Sequence, residues 1–135
     1  MTRGQRNNNP CNIRKTTDKW IGQVSNLNGK TDKAFCQFDT MKHGLRATFK
    51  LLFNYRKKYN INCIWHIVHK WAPEKDGNNE RAYVAFIESR TGLDKWLPLV
   101  TEEYKAVVSA MCEIESQYKP SPEEIDEAYE LALRH

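Results

Sequence analysis

The sequence predicts an α+β domain, mainly α-helical, with one β-hairpin, and three observations carry that reading. From Met41 onward, apolar residues recur at three- and four-residue steps, the period of helices buried on one side. Before them, two short apolar runs flank the turn dipeptide Asn28-Gly29. The helical stretches also open on capping residues and stop at Gly or Pro. The 135 residues are read as a single domain, 1–135, long enough to bury a core without metal or disulfide.

The chain opens on Arg3 to Arg14, RGQRNNNPCNIR. Asn7, Asn8, Asn9, Pro10 and Asn12 disfavour helix, so this segment is expected to be an ordered turn or loop. Trp20–Ser25 and Ala34–Phe38 are the two hairpin strands. Asp39 or Thr40 caps a helix from about Met41 to Tyr59, with Leu45, Phe49 and Leu52 on its inner face. Asn62 caps a short helix carrying Ile64, Ile67, Val68 and Trp71, which stops at Ala72-Pro73. Glu74 to Asn78 is a polar loop, and Asn78 or Asn79 caps a helix with Tyr83, Phe86 and Ile87 that ends at Gly92. Leu93 to Leu99 is a connector anchored by Trp96. Thr101 opens a helix with Glu102 and Glu103 at its positive end, and Ser121-Pro122-Glu123-Glu124 is a capping box for the last helix.

The formal charge of +4 lies mostly in the first half and suits weak attraction to a polyanion without selecting one. Cys11, Cys36, Cys63 and Cys112 are widely spaced and read as free thiols, with no zinc-type spacing. His66 and His69 read as structural or surface residues, so neither metal nor cofactor is expected. No run suggests a signal peptide or a membrane span, so synthesis in the bacterial cytoplasm is expected.

In the helix after Thr101 the apolar stripe Tyr104, Val107, Val108 and Met111 continues, one turn on, to Glu115. A carboxylate on the apolar side of its helix is costly unless paired or protonated. It should therefore have a raised pKa, as a general acid requires. The plainer alternatives are a helix already frayed at Ser116, or a pair with Arg6 or Arg14. Asn8, Asn9 and Asn12, with Arg6 and Arg14, present donors and acceptors suited to neutral polar ligands such as sugar hydroxyls and amides.

Asn9 to Arg14, Trp20-Ile21-Gly22 and Phe35 to Thr40 resemble, in order, the N-L-F-G-I-K, W-x-G and F-R-V-Y-D-S segments of flagellar- and autolysin-type β-N-acetylglucosaminidases. In those enzymes an A-L-E-S-G segment with the catalytic glutamate comes first. Here Cys112 to Ser116 is the similar segment and comes last, which implies a circularly permuted lysozyme-like domain. Arg3 to Arg14, Gly44-Leu45-Arg46-Ala47, Trp71-Ala72-Pro73 and Ala110 to Ser116 also resemble a family of small phage and prophage proteins, described as virion-associated or lysozyme-like. Cys11 and Gln117 stand where that family has glycine, and Phe38 stands where the glucosaminidases have tyrosine.

These resemblances imply a peptidoglycan-degrading glycosidase, with Glu115 as general acid, Asn9, Asn12 and Arg14 holding the sugar and Trp20 or Trp71 stacking on a ring face. For a second acid the hairpin offers only Asp32 between its strands and Asp39 at its end. Glycoside cleavage normally uses two carboxylates, so water activation by Asp32, assistance from the substrate's N-acetyl group and a lytic transglycosylase route all stay open. The expected partner is bacterial peptidoglycan, met by a monomer after release or within a virion, without nucleic acid or membrane insertion. The rival is a non-catalytic phage structural or wall-binding protein. A nucleic-acid module, suggested by Arg56-Lys57-Lys58 beside Tyr55 and Tyr59, ranks last, since charge at a helix end also complements the dipole.

Overall fold

The N-terminal segment folds back onto the far end of the chain. In the computed structural model, which describes residues 1–25 and 32–135, Arg3–Arg6 forms a short helix, α1, N-capped by Thr2. It sits on the C-terminus of a later helix, α5, Glu103–Ser116. The last carbonyls of a helix have no partner within it. Here Thr2 Oγ1 and Gln5 Nε2 donate to the Ser116 carbonyl at 2.8 and 2.9 Å. Gly4 makes the approach possible: a Cβ there would lie 1.8 Å from Ser116 Oγ.

The described residues form four further α-helices: α2 (Met41–Tyr59), α3 (Ile64–Trp71), α4 (Glu80–Thr91) and α6 (Pro122–Arg134). Thr40, Asn79 and Ser121 accept from backbone N–H groups in the first turns of α2, α4 and α6, as the capping pattern predicts. The helix α2 packs along α6, α4 lies against both α3 and α5, and their inner faces share a core of Leu45, Phe49, Leu52, Ile67, Tyr104, Val108 and Met111. A smaller cluster of Ile13, Cys36, Phe38 and Ala47 lies under the N-terminal segment, with Trp20, Leu51 and Trp71 against it.

The expected β-hairpin is not formed, and with it the α+β class and the lysozyme-like hairpin lobe are overturned. Among the described residues there is no strand, only isolated antiparallel bridges at Arg14–Phe35 and Gln23–Phe38; the expected Asn28-Gly29 turn lies outside them. Toward Trp20–Ser25 only the Val24 N–H to Gln37 carbonyl and Asp39 N–H to Gly22 carbonyl bonds form, because the Phe35 N–H goes to Asp32 Oδ1 and the Gln23 N–H turns back to the Trp20 carbonyl. Asn9 Nδ2 donates to the Cys36 carbonyl at 2.9 Å and Asn8 Nδ2 to the Phe38 carbonyl at 3.0 Å, while the Phe38 N–H donates to the Asn7 carbonyl. Side chains and loop backbone thus occupy the opposite edge of this segment, the one facing away from Trp20–Ser25, so no strand pairs there either.

Smaller corrections have local causes. Cys63 rather than Asn62 precedes α3, without a side-chain cap, and α5 starts two residues beyond Thr101, behind Glu102. Trp96 is 54% exposed, whereas Leu99 is the buried residue of that connector. The expected loop at Glu74 contains a 3-10 turn, Glu74–Asp76.

Asn9 is fully buried and makes three bonds: Nδ2 to the Ile13 and Cys36 carbonyls, and Oδ1 from the Ile13 N–H at 2.9 Å. Asn9→Ala leaves the Ile13 N–H and the Cys36 carbonyl without partners, while the Ile13 carbonyl keeps the Cys36 N–H. The two losses should cost about 3 kcal/mol, or roughly 10 °C in Tm. Exposed Asn54 provides the control, with Asn54→Ala expected within about 0.5 kcal/mol of the parent. Thermal unfolding followed by circular dichroism checks the pair, and equal losses would remove Asn9 from its structural role.

Candidate functional site

Glu115 lies in the last turn of α5, which stays helical through Ser116 and ends in Gln117 at φ 52°. That left-handed cap is a conformation where glycine is favoured, and here Gln117 adopts it. The Glu115 side chain is partly buried and pairs with no arginine. Asn12 Nδ2 donates to Oε1 at 3.1 Å and to the Glu115 carbonyl at 3.3 Å, and the Tyr83 hydroxyl donates to Oε2 at 2.9 Å. Burial pushes the carboxyl above its ordinary range, and the two hydrogen bonds oppose that rise without cancelling it. Tyr83 is buried on the inner face of α4, and burial, followed by the nearby Glu115 charge, pushes its hydroxyl well up.

Asn12 adopts φ 55°, a left-handed conformation that asparagine tolerates better than most residues. It also lines a groove of about 170 Å³ with Arg14, Asp18, Trp20, Tyr55 and Trp71. Trp71 is held by its Nε1–H, which donates to the Cys11 carbonyl at 3.2 Å. Aromatic residues set among polar ones suit a ligand that is apolar on its faces and polar at its edges, as a sugar is. Glu115 lies behind Asn12 and is not part of the groove lining.

The predicted residues therefore divide. Asn12, Arg14, Trp20 and Trp71 gather at the groove, with Glu115 one hydrogen bond away. Asn8 and Asn9 do not join them, because their side chains are spent on backbone carbonyls. Asp32 is bound instead by Arg3, whose Nη2 lies 2.7 Å from Oδ1, and by Asn7 and the N–H groups of Ala34 and Phe35. The Arg3 guanidinium, foremost, holds its carboxyl well below the usual range. Arg14 extends over the Phe35 ring at 4.8 Å. Tyr83 and Tyr55 were not anticipated: both sit on apolar helix faces, and spacing carries no signal that their outer ends meet Glu115 or a groove.

Other titratable groups are paired elsewhere. Glu113 binds Arg90 at 3.0 Å, His69 Nδ1 lies 2.7 Å from Glu80, and His66 Nδ1 lies 3.5 Å from Cys63 Sγ. Among the described residues no three His, Cys, Asp or Glu side chains are placed to hold a metal ion, and no helix is long and apolar enough to cross a membrane.

Because the folded Glu115 carboxyl binds its proton more tightly than in the unfolded chain, stability should fall as pH rises from the ordinary glutamate range through the raised value, then level off. Glu115→Gln should remove that decline and gain on the parent across the same window. Urea unfolding between about pH 4 and pH 8 checks it, and parallel curves for the two proteins would mean the carboxyl is not perturbed.

No established protein-family profile matches the chain. It is 37% identical over 132 residues to Protein P5 of Pseudoalteromonas phage PM2, a match covering 95% of this chain and 80% of that protein. At that identity and coverage, the chain belongs to the family of this phage protein.

Proposed function

We propose that the chain is a non-catalytic component of a phage particle that rests against bacterial wall glycan through the groove of Asn12, Trp20, Tyr55 and Trp71. The observation that carries this reading is the likeness to a phage protein along nearly the whole chain. The geometry favours binding over cleavage. Both Glu115 oxygens have internal donors, and Asp32, the expected second acid, is committed to Arg3 and Asn7. Glycoside hydrolysis asks for two carboxyl groups free to act on either side of one bond. The groove instead offers stacking faces and edge polar groups, and net positive charge adds a weak attraction to an anionic wall.

One observation favours a second reading, peptidoglycan cleavage with Glu115 as general acid. Its carboxyl is shifted upward by burial, in the direction that acid catalysis near neutral pH needs. Here Asn12 and Tyr83 would orient the acid, and the second function would fall to water or to the N-acetyl group of the substrate.

Two measurements test these readings. Density-gradient-purified particles of the phage encoding this chain should contain it, by mass spectrometry, in proportion to infectious titre; its absence from them would sink the particle reading. The purified protein should sediment with peptidoglycan without clearing the suspension, and Trp20→Ala should weaken retention by about tenfold. Clearing by the native chain but not by folded Glu115→Gln would transfer the assignment to the glycosidase.

A further inference from the structure

Cys11 and Cys112, 101 positions apart in sequence, meet in the core with their sulfur atoms 3.6 Å apart, both fully buried. Cys11 belongs to the asparagine loop, next to Asn12, and Cys112 lies one turn of α5 before Glu115. The other two cysteines face different groups: Cys36 the Gln23 amide and the Arg14 carbonyl, Cys63 the His66 ring. We propose that Cys11 and Cys112 are a disulfide site, closed when the chain folds in the presence of a low-molecular-weight or protein disulfide. The sulfurs need to approach by about 1.5 Å to reach bonding distance, a movement within reach of side-chain rotation on a loop and a helix already in contact.

The exchange balances with a disulfide as oxidant. One cysteine thiolate attacks a sulfur of the oxidant, forming a mixed disulfide and releasing the first thiolate. The second cysteine then attacks the protein sulfur of that mixed disulfide and releases the other. The two thiol protons end on the two released thiols, and the oxidant is reduced by two electrons. Burial governs the timing. It pushes the Cys11 thiol well above its usual range, and a thiol rather than a thiolate is a poor nucleophile. Closure therefore accompanies folding, and the finished bond is shielded from outside reductants. A protein of a particle that survives outside the reducing cytoplasm has use for such a lock. It would tie the loop carrying Asn12 to the helix carrying Glu115.

The test refolds the full, reduced chain in a mixture of reduced and oxidised glutathione, blocks remaining thiols with an alkylating reagent, and maps peptides without reduction. The expected product links the Cys11 and Cys112 peptides, with Cys36 and Cys63 alkylated, and unfolds roughly 10 °C above the reduced chain, as expected for a ring of that length. Cys36→Ala/Cys63→Ala should keep both the link and the shift. Cys11→Gly, which restores the residue of the resembled phage family, should fold and lose both. Four alkylated cysteines, a different dominant pair, an unchanged Tm, or a shift that survives Cys11→Gly would each overturn the proposal.

Discussion

The packing of the N-terminal asparagine loop against the end of α5 is the constraint on which the rest of the molecule depends. A helix that ends inside a protein must find donors for its final carbonyls, and α5 finds them in Thr2 and Gln5 from the opposite end of the chain. The contact fixes where α1 lies, which fixes the loop from Asn7 to Asn12, which in turn places Asn12 on Glu115. Two glycines permit the close approaches. Gly4 admits Ser116, and Gly44 admits the Asn8 carbonyl, which would stand 1.9 Å from any Cβ there.

Within that frame the asparagines act mainly as backbone substitutes. Asn9 satisfies an N–H and two carbonyls in a place where no regular element reaches, and Asn8 and Asn12 accept left-handed conformations that turn the chain. A run of asparagine has two physical uses, recognition of a polar ligand and satisfaction of irregular backbone, and the same donors serve both. Burial separates them. Asn9 has no exposed surface, whereas Asn12 keeps one side on the groove. Irregular backbone held this tightly gives the groove beside Asn12 a rigid wall.

The electrostatics follow the same division between the interior and the rim. Glu115 is partly buried against neutral donors and so feels desolvation as the dominant force. Glu113, two residues earlier and facing outward, meets Arg90 and Lys119 and is held below its ordinary range chiefly by the arginine. Exposed pairs of that kind contribute little to stability. The Glu115 carboxyl, by contrast, is shifted by burial and so links stability to pH.

The sequence alone determined what depends on near neighbours. The bounds of α2, the caps at Thr40, Asn79 and Ser121, and the inward position of Glu115 follow from periodicity and capping chemistry, because helices bond within themselves. Tertiary structure decided whatever depends on partners distant in the chain. The apolar runs around Trp20 and Phe35 have strand-like composition, yet remain irregular because Asp32 takes the Phe35 N–H on one edge and Asn8 and Asn9 take the Phe38 and Cys36 carbonyls on the other. Likewise Asp32 was drawn to Arg3, Tyr83 to Glu115 and Cys11 to Cys112 by packing that no local spacing encodes. A strand is completed only by its neighbour, so its existence, like that of the groove, was a property of the assembled fold.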